Sequence, residues 1–272
     1  MRLRLLVVMF LALGASGAVA APTTKDFGAA NLLARAKEAN PEDYQNFIAK
    51  GGKIVLTDDG RSFYLFISPS ADAPIVVSLH GHAGWAFKDY TAWSLNLARK
   101  GMGLLTLQWW FGQGDEMKDY YSPQELYTVI KSAVEKEGLK GRKLLLQGFS
   151  RGAANIYGVV AFDRYTQNKL FPLIVANSGG ASRDFMVNRA IDREQFGYKP
   201  FTGTHWILFC GGQDPNPDQS GCPGMTKTKE WVEANGGIVE LFIQDMNAGH
   251  GGFNRNPANA QKALEFFEQF DR

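Results

Sequence analysis

What the chain lacks narrows its chemistry first. Two cysteines and four histidines are all that its 272 residues contain. Cys210 and Cys222, twelve apart, cannot complete a zinc site by themselves, and no histidine stands at ligand spacing from them. A surplus of one charge is missing too, since 29 basic residues face 27 acidic ones. No basic stripe is available to neutralise a phosphate backbone, which excludes nucleic acid as a partner. Repeats, low-complexity tracts and inter-domain linkers are absent. No motif requires a metal or an organic cofactor.

What is present begins with a leader. Arg2 and Arg4 precede an unbroken apolar run over 5–13, and small residues then lead to Ala18-Val19-Ala20. This pattern predicts a signal peptide over 1–20, with export to a periplasmic or secreted location. The run is too short to span a bilayer, so no stable membrane insertion is expected after its removal. Residues 21–272 then form one expected domain, formally neutral because Arg2 and Arg4 leave with the leader. In an oxidising compartment Cys210 and Cys222 are expected to form a disulfide.

Leu32, Leu33, Tyr44, Phe47 and Ile48 mark a helical lead-in over 21–50. Strand-like runs at 53–56 and 62–67 flank Asp58-Asp59-Gly60, a hairpin signal. Residues 74–79 are apolar but for Ser78, as a strand covered on both faces should be. A helix over 87–99, closed by Gly101, precedes a strand over 103–108. Ser122-Pro123-Gln124-Glu125 opens the next helix, with Ser as cap and Pro in the first turn. Strands follow at 143–147, 173–176, 206–210 and 238–243, and helices at 153–165, 226–233 and 257–270. Such an array predicts an α/β fold, a mostly parallel eight-stranded sheet sandwiched by helices, preceded by an antiparallel hairpin.

Gly148-Phe149-Ser150-Arg151-Gly152 lies between the strand at 143–147 and the helix after it. This is G-x-S-x-G in the strand–turn–helix context that gives the motif meaning, with glycines where a sharp turn leaves no room for side chains. A tight turn with a helix-capping Ser is the alternative. With this motif the chain resembles the α/β-hydrolase superfamily. The resemblance spans nearly all of 21–272, and the strand before Ser150 is the fifth, as in that superfamily. It implies a serine nucleophile, then an acid, then a histidine along the chain.

That order leaves one histidine. His80 and His82 precede Ser150, and His205 begins a strand at the wrong edge. His250, in the glycine-rich stretch Asn247-Ala248-Gly249-His250-Gly251-Gly252, remains as the base that would take the Ser150 proton. Asp214, after the strand at 206–210, is the favoured acid. Asp218 and Asp184 stay open as competitors. An oxyanion hole needs two backbone N–H donors. Arg151, next to the nucleophile, would supply one, and the resemblance places the other at His82 in His80-Gly81-His82, with His80 a structural residue beneath the loop.

Between the sixth and seventh expected strands only 178–204 is available for a cap, which implies an open site. Trp85, Trp109, Trp110 and Phe111 follow strands whose carboxyl ends face it, as a substrate pocket or as core. Arg151 meets either an anionic substrate group or solvent. The resemblance implies an exported carboxylic ester hydrolase acting through an acyl-enzyme on a small or polymeric ester. It is distantly similar to secreted polyester depolymerases and feruloyl esterases. A peptidase of the same fold, or a binding protein that keeps the fold without catalysis, are the alternatives.

Overall fold

The computed structural model describes residues 28–270, so the expected leader over 1–20 lies outside the described residues. Two helices, α1 (Ala29–Ala39) and α2 (Pro41–Ala49), stand where one lead-in was expected. The break falls at Asn40-Pro41: proline disfavours helical backbone in the residue before it, and Asn40 accordingly leaves the helical region at φ −140°. Strands β1 (Lys53–Leu56) and β2 (Phe63–Ile67) pair antiparallel, Leu56 opposite Phe63. Gly60 at φ +69° supplies the left-handed residue of their turn.

The remaining strands alternate with helices: β3 (Ile75–Leu79), α3 (Ala86–Lys100), β4 (Gly103–Leu107), α4 (Pro123–Lys136), β5 (Leu144–Phe149), α5 (Arg151–Tyr165) and β6 (Leu173–Asn177). Helix α6 (Met186–Asp192) is the only α-helix between β6 and β7 (His205–Gly211). The chain ends with α7 (Cys222–Ala234), β8 (Ile238–Asp245), α8 (Gly252–Arg255) and α9 (Pro257–Gln269). The eight strands form one sheet in the order β1-β2-β4-β3-β5-β6-β7-β8. β2 runs antiparallel to both β1 and β4, and every other pairing is parallel.

The central parallel strands are mostly apolar because each face of the sheet has its own core. Along β5, Leu144 and Leu146 point into a cluster roofed by Ile130 of α4, Ile156 of α5 and Val232 of α7. Leu145, between them, points into a second cluster closed by Phe47, Phe87, Phe253 and Phe267. The side-chain period of two thus divides the helices into two layers. Helix α5 is the most enclosed, with eleven of its fifteen residues buried. Helix α4 starts as expected, Ser122 Oγ accepting the Glu125 N–H while the Glu125 carboxylate accepts the Ser122 N–H.

Among the described residues no helix is long and apolar enough to cross a membrane, and no group of three or more His, Cys, Asp or Glu side chains is arranged to hold a metal ion.

Candidate active site

The site is built on the turn between β5 and α5. Ser150 sits at φ 54° and ψ −118°, a conformation that costs a non-glycine residue on the order of 1–3 kcal/mol. Its neighbours compensate. The Ser150 N–H donates to Asn177 O at 2.8 Å, and Ser150 O accepts the Ala154 N–H at 3.0 Å. The motif glycines are required by crowding: a Cβ on Gly148 would lie 2.5 Å from the Gly152 backbone, and one on Gly152 would lie 2.4 Å from Leu79 O. Helix α5 begins at Arg151, two residues before the expected start, so Ser150 stands directly at a helix N-terminus.

His250 arrives from the loop between β8 and α8, and Asp214 from the loop between β7 and α7. His250 Nε2 lies 2.8 Å from Ser150 Oγ, and His250 Nδ1 lies 2.7 Å from Asp214 Oδ2. The Asp214 side chain is fully buried, and its Oδ1 accepts the Ser220 hydroxyl and the Asn216 N–H, each at 2.9 Å. With both carboxylate oxygens occupied, its orientation is set before any substrate arrives. The two loops are stitched together as well, the Gln213 N–H donating to Ala248 O at 2.9 Å. A disulfide joins Cys210 to Cys222 across the base of the Asp214 loop.

The competing carboxylates are elsewhere. Asp218 is exposed and lies 3.5 Å from Lys227 Nζ, and Asp184, also exposed, accepts the Ser182 hydroxyl. His205 pairs with Glu240 at the start of β7, at the opposite edge of the sheet. His80 is buried. Its Nδ1–H donates to Gly81 O at 2.8 Å, Nε2 accepts the Trp109 N–H at 3.4 Å, and desolvation pushes its pKa down to about 4.

The loop after β3 faces Ser150. Its Ala83 N–H is taken by Tyr120 Oη at 3.1 Å and its Gly84 N–H by Gly81 O at 3.2 Å. The His82 N–H has no acceptor among the described residues. The Arg151 N–H, first in helix α5, lies beyond reach of an intrahelical carbonyl. These are the two N–H groups expected from the sequence to serve as donors.

No protein-family model and no curated protein sequence matches the chain significantly. Solved structures do. An esterase from Rhizomucor miehei is similar over 86% of this chain and 89% of its own, at 13% identity and a TM-score of 0.59. Est1E from Butyrivibrio proteoclasticus is similar over 80% of this chain and 99% of its own, at 12% identity and a TM-score of 0.57. The chain has the α/β-hydrolase fold. An acylaminoacyl peptidase from Pyrococcus horikoshii shares that α/β-hydrolase fold over 80% of this chain but only 41% of its own, at 16% identity and a TM-score of 0.55. No subgroup of α/β-hydrolases is singled out by these similarities.

The four aromatics that the sequence left open as pocket or core divide between the two. Trp109 is fully buried and stacks on His80, so it is core and lines no pocket. Alternation along the chain turns it inward. Trp110, partly buried, packs edge-on against Trp85 and donates from Nε1 to Gly114 O at 2.9 Å. Phe111 packs against Tyr121. Of the four, only Trp85 lines the cavity beside Ser150, and Phe149, the motif residue before the nucleophile, does so with it.

Arg151 is held by protein groups: its guanidinium lies 3.9 Å from the Tyr120 ring centroid, and Nη1 donates to Asp115 O and to His82 Nδ1, each at 3.0 Å. Tyr120 is the residue that sequence reasoning missed. It returns to the site because the segment after β4 folds back on itself, pairing Trp110 with Tyr120, and no local pattern announces that.

Proposed function

We propose that the chain is a serine hydrolase of carboxylic esters, with Ser150 as nucleophile, His250 as general base and then acid, and Asp214 as the group that orients and stabilises the imidazolium. The observation that carries this reading is the pair of hydrogen bonds, 2.8 and 2.7 Å, linking three side chains from three separate loops. A hydroxyl becomes an effective nucleophile only when a base in hydrogen-bond reach accepts its proton. His250 Nε2 is so placed, and Asp214 holds the Nδ1–H tautomer that leaves Nε2 free to accept.

Ser150 Oγ would attack the ester carbonyl while its proton passes to His250. The negative charge developing on the carbonyl oxygen would be met by the N–H groups of Arg151 and His82, at a helix N-terminus that favours anions. His250 would return the proton to the leaving alcohol, giving an acyl-Ser150. Water, deprotonated by His250, would then release the acid. Esters of small molecules or polymers suit a site that only α6 and short turns border on the cap side. Export is part of the proposal, and the Cys210–Cys222 bridge suits an oxidising compartment.

Labelling with a fluorophosphonate probe tests the nucleophile: wild type should react and Ser150→Ala should not. Turnover of p-nitrophenyl esters against aminoacyl-nitroanilides tests the substrate class. Equal labelling of both proteins, or faster anilide turnover, overturns the corresponding part of the reading.

A further inference from the structure

The cavity beside the nucleophile, about 310 Å³, is bounded by the loop after β3, helix α3 and helix α8. Gly81 and Phe149 line it next to Ser150, and a Cβ on Gly81 would stand 3.5 Å from the Ser150 Cβ. Gly251, the residue after His250, lines it as well. The volume falls at the lower end of small-molecule sites, enough for one half of a modest ester. What that half carries depends on the groups it meets there.

The titratable side chains on its wall are committed to other protein groups, with one exception. Lys88 pairs with Asp43 at 2.8 Å. The Asp89 carboxylate, 8% exposed, accepts the Thr106 hydroxyl at 2.7 Å. Buried His80 donates to Gly81 O and accepts the Trp109 N–H, and His82 Nδ1 faces Tyr120 Oη and Arg151 Nη1. Arg255 is the exception. It is exposed, and its guanidinium has neither a hydrogen-bond acceptor nor an ion pair among the described residues. Asp245, which borders a neighbouring cavity together with Arg255, accepts from the Asn256 and Asn259 amides and the Asn247 N–H instead. The position of the cation is set by Gly251. The backbone there, at φ −91° and ψ 14°, is open to any residue, so conformation does not call for glycine. What the missing side chain leaves is room: a Cβ on Gly251 would stand 3.2 Å from Arg255 Nε and 3.4 Å from its Cζ. The guanidinium therefore rests against the residue next to His250, at the border of the cavity, with its donors unused.

We propose that Arg255 determines specificity, selecting esters that bear a carboxylate on the half held in this cavity. The proposal rests on the reading of the chain as an ester hydrolase. A guanidinium presents parallel N–H donors in a fixed fork that matches the two oxygens of a carboxylate. A neutral group would gain less from it, and an ammonium would be repelled. The substrates are then half-esters of dicarboxylic acids or esters of hydroxy acids. Hydrolysis releases a dicarboxylate in the first case and a hydroxy acid in the second.

The test uses ester pairs in which a terminal carboxylate is compared with its carboxamide, which has nearly the same shape and no charge. One pair carries the group on the acyl chain (p-nitrophenyl 5-carboxypentanoate against 5-carbamoylpentanoate). The other carries it on the alcohol (4-acetoxybutanoate against 4-acetoxybutanamide). In at least one pair wild type should favour the carboxylate by about tenfold in kcat/KM at low ionic strength, and by less in high salt. Arg255→Gln should bring that ratio towards one, and Arg255→Lys should keep part of it. Lys88→Met should leave it in place. A wild-type ratio near one in both pairs, a ratio that survives Arg255→Gln, or a ratio that Lys88→Met removes overturns the proposal.

Binding without turnover separates this assignment from the catalytic one. Titration of adipamate (the anion of adipic acid monoamide) and neutral adipamide into Ser150→Ala should show tighter binding of adipamate. Arg255→Gln in that background should abolish the difference. Selectivity for adipamate in a protein whose wild type cleaves no ester would leave the carboxylate subsite standing and remove the hydrolase reading. Esterase activity with equal binding of the two compounds would do the reverse.

Discussion

Tyr120 Oη lies 2.8 Å from His82 Nδ1 and accepts the Ala83 N–H at 3.1 Å, so one phenol holds two consecutive residues of the loop facing Ser150. Its ring also carries the Arg151 guanidinium, 3.9 Å from the centroid. Both proposed oxyanion donors, the backbone N–H groups of His82 and Arg151, therefore belong to residues whose side chains meet at Tyr120.

Tyr120→Phe should lower kcat by about tenfold or more on p-nitrophenyl acetate with little change in KM, because the lost contact positions transition-state donors and not the ground-state ester. The unpaired Ala83 N–H should cost only about 1 kcal/mol of stability. Steady-state kinetics with a parallel denaturation curve checks both. An unchanged kcat would remove Tyr120 from the positioning role.

Asp214→Asn keeps the shape of the buried side chain but loses the charge facing His250, and should reduce kcat by about 10³–10⁴. Asp218→Asn, at an exposed pair with Lys227, should stay within about twofold of wild type. Comparable losses in the two variants would contradict the assignment of the acid.

His80 and Asp89 should make opposing contributions to the pH dependence of stability. Burial depresses His80 from 6.5 to about 4, so its stabilising contribution is complete above pH 6.5 and is lost as pH falls through 4. Burial raises Asp89 from 3.8 to about 6, so its contribution is complete below pH 3.8 and is lost as pH rises through 6. Each amounts to about 3 kcal/mol, and across pH 4–6 the two nearly cancel. Relative to wild type, Asp89→Asn should gain stability as pH rises through that window, and His80→Gln should lose it. Urea unfolding at pH 4.5 and 6.5 is the measurement. Differences that do not change with pH would exclude the coupling.

The Cys210–Cys222 bridge closes a loop that contains Asp214 and both of its supporting donors, Asn216 and Ser220. Replacing both cysteines by alanine should cost about 3 kcal/mol in the loop-entropy model. It should also lower kcat more than KM, because the acid loop loses its brace. A variant with wild-type kcat would confine the bridge to a role in stability.

Helices and strands were legible where the cause is local. Ser122-Pro123-Gln124-Glu125 starts its helix at the expected residue because the capping groups lie within one turn. The Ser150 turn was legible for the same reason: Gly148 and Gly152 are demanded by contacts inside the turn and with the adjacent strand end. The break between α1 and α2 was overlooked although Pro41 announces it, because the apolar spacing carries across Asn40. Trp109 was assigned to core or pocket alike, since clustered aromatics look the same in either role until the path of the chain turns each one to a side.

By itself the sequence determined the alternation of strands and helices and the turn that presents Ser150, because these depend on residues close along the chain, while the short list of acids and bases came from the order that the family resemblance implies. Only the tertiary structure decided that Asp214, not Asp218 or Asp184, stands against His250, that Tyr120 braces the facing loop, and that Arg255 borders the cavity beside Ser150. Those are contacts between segments tens of residues apart, and what brings them together is the closure of two apolar cores around one sheet.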